Sequence, residues 1–214
     1  MNVPKIIFLH VPKTAGVSVF HTFKDLWLDM QGRYNTLHID ASVKQGIFTG
    51  HVPLWKLIED GTVEEEYLKD AIIFFILRNC YDRFVSLYYY LDFKNKAKNE
   101  KRWSIMEFAE NVKVAPKDRH NLGHPYSYWL RGLEGLVSDP IYSLGFRDPC
   151  NLQRSLDTFC RQVGLPSRRL QYMNTNKNYT CSAKEVYEQN PGLKEIVTEI
   201  YTDDIAKFHM VFPY

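Results

Sequence analysis

Cysteine is scarce in this sequence: Cys80, Cys150, Cys160 and Cys181 are the only four, widely spaced and never in a C-x-x-C pair. That spacing excludes a zinc-ribbon ligand set and a dense disulfide framework, and leaves free, mostly buried thiols as the expectation. Long apolar runs are absent as well. Nothing reaches the roughly 20 residues that a membrane span needs, and KIIFLHV at 5–11 follows the first methionine too closely to leave room for a signal peptide. A soluble, cytoplasmic chain with no membrane span is the expectation. Neither charge sign dominates: 27 Lys+Arg stand against 25 Asp+Glu. A general nucleic-acid binder would carry a basic excess, so nucleic acid is not an expected partner and any anionic ligand has to be recognised locally. Internal repeats and low-complexity linkers are missing too. One N-x-[ST] pattern, Asn178-Tyr179-Thr180, is short enough to arise by chance and matters only in a secreted chain.

What is present is enough apolar material for one globular domain over residues 1–214, with 45% hydrophobic and 14% aromatic content. The run at 5–11 is short and β-branched, the pattern of a buried parallel strand. From Gly16 the residues Val17, Val19, Phe20, Phe23, Leu26, Trp27 and Met30 recur at mostly three- and four-residue spacing, which predicts a helix to about Met30. A short strand over 46–49 ends at Gly50-His51, and a helix over 53–59 begins on a proline. Residues 71–77, AIIFFIL, are continuously apolar and read as a central strand ending at Arg78, followed by a helix over 81–93. Helices are expected over 104–112, 120–130, 151–163, 182–188 and 192–208, a loop over 132–149 and a short strand over 170–173. Strands alternating with helices predict an α/β fold, a central mainly parallel sheet flanked by helices, with ligands beyond the carboxyl ends of the strands. Lys13, His51 and Arg78 each follow such an end.

The stretch FLHVPKTAGVSVF at 8–20 is the most informative. A buried strand, a tight turn of a lysine with small residues, and a helix start together form an anion cradle, because backbone N–H groups and the helix dipole face the turn. A Walker A loop would place its lysine after a second glycine, as G-x-x-x-x-G-K-[ST]. Here Lys13 precedes the only glycine of the turn, Gly16, and approaches from the strand side. Magnesium-dependent phosphotransfer from ATP or GTP is correspondingly disfavoured, though a P-loop-type phosphotransferase stays open as an alternative.

H-V-P-K-T-A-G-V-S at 10–18 resembles the 5'-phosphosulfate loop of sulfotransferases that use 3'-phosphoadenosine 5'-phosphosulfate (PAPS). The second stretch, L-R-N-C-Y-D-R-F-V-S-L-Y-Y-Y at 77–90, resembles their 3'-phosphate motif, in which a strand-end arginine and a serine eight residues later bind that group; Arg78 and Ser86 occupy those places. Between them, T-G-H-V at 49–52 is similar to the Gly-His-Val segment of the uronyl 2-O-sulfotransferase branch, whose histidine is the general base, a role that would pass to His51. The resemblance covers residues 5–93; further on, the helix over 151–163, the loop over 174–179 and Tyr-x-x-Asp-x-x-x-Phe at 201–208 match more loosely. Cys80 stands where the family often has proline, and no anchor of the kind carried by its Golgi members is expected.

The resemblance implies a three-layer, P-loop-like fold and a carbohydrate O-sulfotransferase that takes PAPS as co-substrate, releases 3',5'-ADP and needs no metal. It gives Pro12, Lys13, Thr14, Ala15, Gly16, Val17 and Ser18 to the phosphosulfate, Arg78 and Ser86 to the 3'-phosphate, and catalysis to His51 and Lys13. Asn174, Asn176 and Lys177 would close over the nucleotide. Read without it, each residue has a plainer alternative. Lys13 is then a solvated turn lysine, Arg78 a structural arginine paired with Asp82, Ser86 a small packing residue and His51 a loop histidine. His10 and His38 compete for the role of base, and Arg83 reads as a helix-surface or structural residue. Tyr88 is expected in the core, while Lys94, Lys96, Lys98, Lys101 and Arg102 read as a solvated loop or a docking surface for an anionic acceptor. A non-catalytic nucleotide-binding module is the remaining alternative.

Overall fold

A computed structural model describes residues 5–28, 46–114, 121–133, 142–146, 151–171, 173 and 181–214. His38, Cys150, the loop over 174–179 with Asn174, Asn176 and Lys177, and the Asn178 pattern lie outside the described residues. Five strands, β1 (Lys5–Leu9), β2 (Trp27–Leu28), β3 (Gly46–Phe48), β4 (Ala71–Arg78) and β5 (Tyr142–Phe146), form one sheet in the order β2-β3-β1-β4-β5. The first four run parallel, with Ile7 opposite both Ile47 and Ile73. A strand covered on both faces needs apolar side chains in both directions, which is why β1 and β4 read as unbroken runs rather than alternating ones. Helices flank the sheet, giving an α/β fold of the three-layer type.

The chain divides into two compact units, residues 1–77 with 128–174 and residues 78–127 with 175–214. The first holds most of the sheet, together with α1 (Gly16–Thr22), α2 (Leu54–Glu59), the short α3 (Glu65–Leu68) and α7 (Asn151–Gln162). Its core is aromatic: Phe8 stacks on Phe74 at 4.8 Å and Phe74 meets Phe159 of α7 at 4.6 Å. Burying side chains of this size contributes roughly 1.5–3 kcal/mol each.

The second unit is helical. It contains α4 (Cys80–Ala97), α5 (Ile105–Val114), α6 (Tyr126–Trp129) over its first two residues, α8 (Ala183–Gln189), α9 (Leu193–Ile200) and α10 (Thr202–Phe208). Arg83 is not on a helix surface; it is 1% exposed, donates to the carbonyls of Leu122 and His124, and lies against the rings of Tyr126 and Tyr201. Asp204 is buried and accepts from the backbone N–H groups of Tyr126 and Ser127, while Phe208 packs edge-on against Tyr126. The Tyr-x-x-Asp-x-x-x-Phe pattern is thus explained by packing within this unit. Cys80, Cys160 and Cys181 are free thiols, the first two buried. No described helix is long and apolar enough to cross a membrane.

Several elements differ from expectation. The helix from Gly16 stops at Thr22, and its apolar spacing continues through a turn into β2, where the Trp27 indole N–H donates to the Phe20 carbonyl at 2.9 Å. A buried residue every third or fourth position is satisfied equally by a helix or by a turn and strand, so the period alone misplaces the end. β5 falls inside the expected loop. Leu170, Gln171 and Met173 form no strand; the Gln171 and Met173 N–H groups donate to the hydroxyls of Thr22 and Ser18 instead, docking this segment on α1. The helix expected over 120–130 is a 3-10 turn, Asn121–Gly123, and then α6, interrupted by Pro125. The last helix breaks at Tyr201, whose φ of −113° separates α9 from α10.

Candidate functional site

The chain leaves β1 through His10 and Val11 and enters a turn that the backbone itself marks out. Lys13 has φ 65° and Ala15 has φ 66°, whereas Thr14 and Gly16 do not, so the sign of φ alternates from Lys13 to Gly16. Left-handed backbone at a residue with a Cβ costs about 1–2 kcal/mol. Two such residues in three positions are a local outlier, of the kind that clusters where a ligand is clamped. Alternation of this type turns successive N–H groups toward one concave side, which suits an anion. The turn is locked by the Thr14 hydroxyl, which donates to the Val11 carbonyl at 2.7 Å. Lys13 is half-buried, Ala15 exposed, and Pro12, Thr14 and Gly16 buried. Val17 is half-buried on α1. Ser18 is already engaged, since its hydroxyl accepts from Met173 N–H at 3.1 Å.

β3 delivers the second feature. Thr49 ties the ends of β3 and β1 together: its hydroxyl accepts from the His10 N–H at 3.1 Å and its own N–H donates to the Phe8 carbonyl. Gly50, at φ 61°, then lets the chain turn sharply and bring out His51, which is exposed. The His51 ring lies 4.3 Å from that of His10, tilted by 38°. Lys13, His10 and His51 therefore form one cluster at the carboxyl edge of β1 and β3. Within it the two histidines differ, His51 facing solvent and His10 only 5% exposed.

Burial, and then the nearby charges of His51 and Lys13, hold His10 well below the ordinary histidine value of 6.5. The unfolded chain therefore binds the proton more tightly than the folded one. The contribution to stability is complete above about pH 6.5 and is lost as pH falls toward the depressed folded value, with a slope of at most about 1.4 kcal/mol per pH unit. Urea denaturation at pH 7.5 and pH 5.5 should show a larger loss for the wild-type chain than for His10→Gln. Equal losses in the two proteins would contradict a buried, neutral His10.

In the second unit, Arg78 and Ser86 line one pocket of about 330 Å³ together with Asp82, Glu185 and Tyr214. The Arg78 backbone is clamped by Tyr126, whose hydroxyl accepts from the Arg78 N–H at 2.9 Å and lies 3.1 Å from its carbonyl. The α4 N-terminus is capped by the Asn79 side chain, which accepts from Tyr81 N–H. Two carboxylates share this pocket, and each has a partner: Asp82 accepts from the Tyr214 hydroxyl, and Glu185 closes a capping box with Ser182 that holds its carboxyl below the usual range. The pocket thus offers a guanidinium together with acceptors, which suits an anion that also carries hydroxyl or amine donors. The sequence reading missed the contributions of Glu185 and Tyr214, which come from the far end of the chain with no local signal.

The remaining candidates make the following contacts. Tyr88 is half-buried against Phe108 and its hydroxyl donates to the Trp103 carbonyl. In the basic stretch, Arg102 pairs with Asp92 at 2.7 Å, Lys98 lies 3.8 Å from Glu100 and Lys94 stands over the Tyr90 ring. No family model, curated protein or solved structure matches the chain.

Proposed function

We propose that this protein transfers a sulfuryl group from PAPS to an acceptor hydroxyl, on a carbohydrate. The observation that carries the reading is the strained turn after β1, where Lys13 and Ala15 both hold left-handed backbone around a buried Thr14. Such a turn binds an anion without a second glycine and without the lysine placement of a nucleotide kinase, and this matches the phosphosulfate loop that the sequence resembles. Arg78 and Ser86 take the 3'-phosphate in this reading, a group set beside a ribose hydroxyl, and their pocket offers both kinds of partner.

The chemistry follows from the residues. The acceptor oxygen attacks sulfur in line, its bond to sulfur forms as the bond from sulfur to the 5'-phosphate oxygen breaks, and 3',5'-ADP leaves with the electron pair. Lys13 and the turn N–H groups stabilise the charge that builds on that leaving oxygen. The acceptor proton passes to a ring nitrogen of His51, the exposed histidine of the cluster. A positioned base of this type contributes about 10²–10⁴-fold.

Thermal melting with 3',5'-ADP, 5'-ADP and ATP, each with and without magnesium, tests the donor site. A ligand at 100 times its dissociation constant adds roughly 2.7 kcal/mol, which for a chain of this size is roughly 5–10 °C. The expected result is a shift with 3',5'-ADP that is indifferent to magnesium and disappears in Arg78→Ala. A shift only with ATP and magnesium would assign phosphotransfer instead, and no shift with any nucleotide would overturn the donor reading.

A further inference from the structure

His10 is an unusual residue to find at the end of a buried strand. Its ring is enclosed by Phe8, Phe48 and His51, with centroids at 5.9, 5.0 and 4.3 Å. The edge carrying Cδ2 and Nε2 lies so close to Gly16 that a Cβ there would fall 1.7 and 2.0 Å from those atoms. The opposite nitrogen, Nδ1, is buried and has no hydrogen-bond partner among the described residues. A buried polar atom left unpaired is costly, and an apolar ring of similar shape would fill the same space without that cost. Packing alone therefore does not account for a histidine here.

We infer that His10 is a positioning residue: its enclosed imidazole is the wall against which the exposed His51 ring is set, so that only His51 offers a nitrogen to the acceptor. The inference rests on the reading of His51 as the proton acceptor. Two imidazoles 4.3 Å apart, with Lys13 also acting on the buried one, do not both carry charge. The proton goes to the ring with access to water, which is His51, and His10 stays neutral. An uncharged aromatic ring beside an imidazolium is a favourable neighbour, so His10 holds the ring plane of His51 without competing for its proton. Gly16 is part of the same device, because only a residue without a Cβ leaves room for the His10 ring.

The test is an NMR pH titration of ring-labelled histidines in the full chain, with the His51 signal assigned by its loss in His51→Gln. Wild type should show His51 titrating while His10 stays neutral down to low pH. In His10→Gln, loss of the favourable ring beside the imidazolium should lower the His51 midpoint by about half a unit or more. Should that variant fail to fold, His51→Gln, at an exposed position, supplies the reciprocal reading: the His10 midpoint should rise once its neighbour is gone. An unchanged His51 midpoint in folded His10→Gln, or an unchanged His10 midpoint in His51→Gln, overturns the inference. Binding of 3',5'-ADP to the wild-type chain is measured alongside. Moved midpoints with no nucleotide binding would sustain the pairing of His10 with His51 while overturning the sulfuryl-transfer reading, so the two fail separately.

Discussion

Lys13→Gly is expected to abolish sulfuryl transfer without lowering the melting temperature. Lys13 holds φ 65°, a backbone conformation that glycine adopts freely and a residue with a Cβ adopts at a cost of about 1–2 kcal/mol. Glycine would release that strain in the folded chain, while the added freedom of the unfolded chain costs about 0.4–1 kcal/mol in the other direction. The two nearly cancel, so melting should stay within a few degrees of wild type or rise slightly. Activity follows different physics. In the proposed reaction the ammonium is lost from the point where the leaving phosphate oxygen becomes charged, and removing one such stabilising group typically costs about 10²–10³-fold. Lys13→Ala keeps the strained φ and loses the ammonium, so it should match Lys13→Gly in activity and wild type in stability. The comparison needs melting curves for the three proteins and transfer of radiolabelled sulfate from PAPS to a panel of saccharides. Transfer within tenfold of wild type in Lys13→Gly would remove Lys13 from the chemistry. A melting point many degrees lower would show that the lysine is structural after all.

A lysine retained in backbone that glycine would suit better is a conflict between local preference and function, and such conflicts are where a sequence speaks about chemistry. The turn itself is legible: a continuous apolar strand, a proline, small residues and an apolar helix start fix its place at residues 12–16. β1, β4 and α4 are legible for the same reason, since unbroken apolar runs and apolar residues at helical spacing are local signals. What is not legible is long-range. Nothing around Tyr214 or Glu185 announces that they share a pocket with Arg78, more than a hundred positions away. Ser18 looks like a free hydroxyl at a helix start, and only the fold reveals that Met173 occupies it. The burial of Arg83 depends on the carbonyls of Leu122 and His124, contributed by a segment that the sequence reads as one continuous helix over 120–130 and that folds instead as a 3-10 turn and a short helix.

His10 and Gly16 make the sharpest case, because a sequence rule and the packing predict opposite signs for one methyl group. Gly16 opens α1 with ordinary helical backbone, and alanine in place of a helical glycine normally adds about 1 kcal/mol of stability. The position of His10 reverses this. A Cβ at Gly16 would lie 1.7 Å from His10 Cδ2, 2.0 Å from Nε2 and 2.6 Å from Cγ, far inside contact distance. The ring has little room to yield, for Phe8 and Phe48 enclose it and only His51 borders solvent. Overpacking of this kind costs about 1–3 kcal/mol and sometimes more. Gly16→Ala should therefore melt several degrees below wild type, and it should displace His51 as the ring is driven outward. Truncating His10 as well removes the clash, so Gly16→Ala combined with His10→Ala should be more stable than the two single losses predict, with a coupling of about 0.5–3 kcal/mol. A rise in melting temperature for Gly16→Ala would mean that the His10 ring lies elsewhere, and with it would go both the cluster at the end of β1 and the wall behind His51.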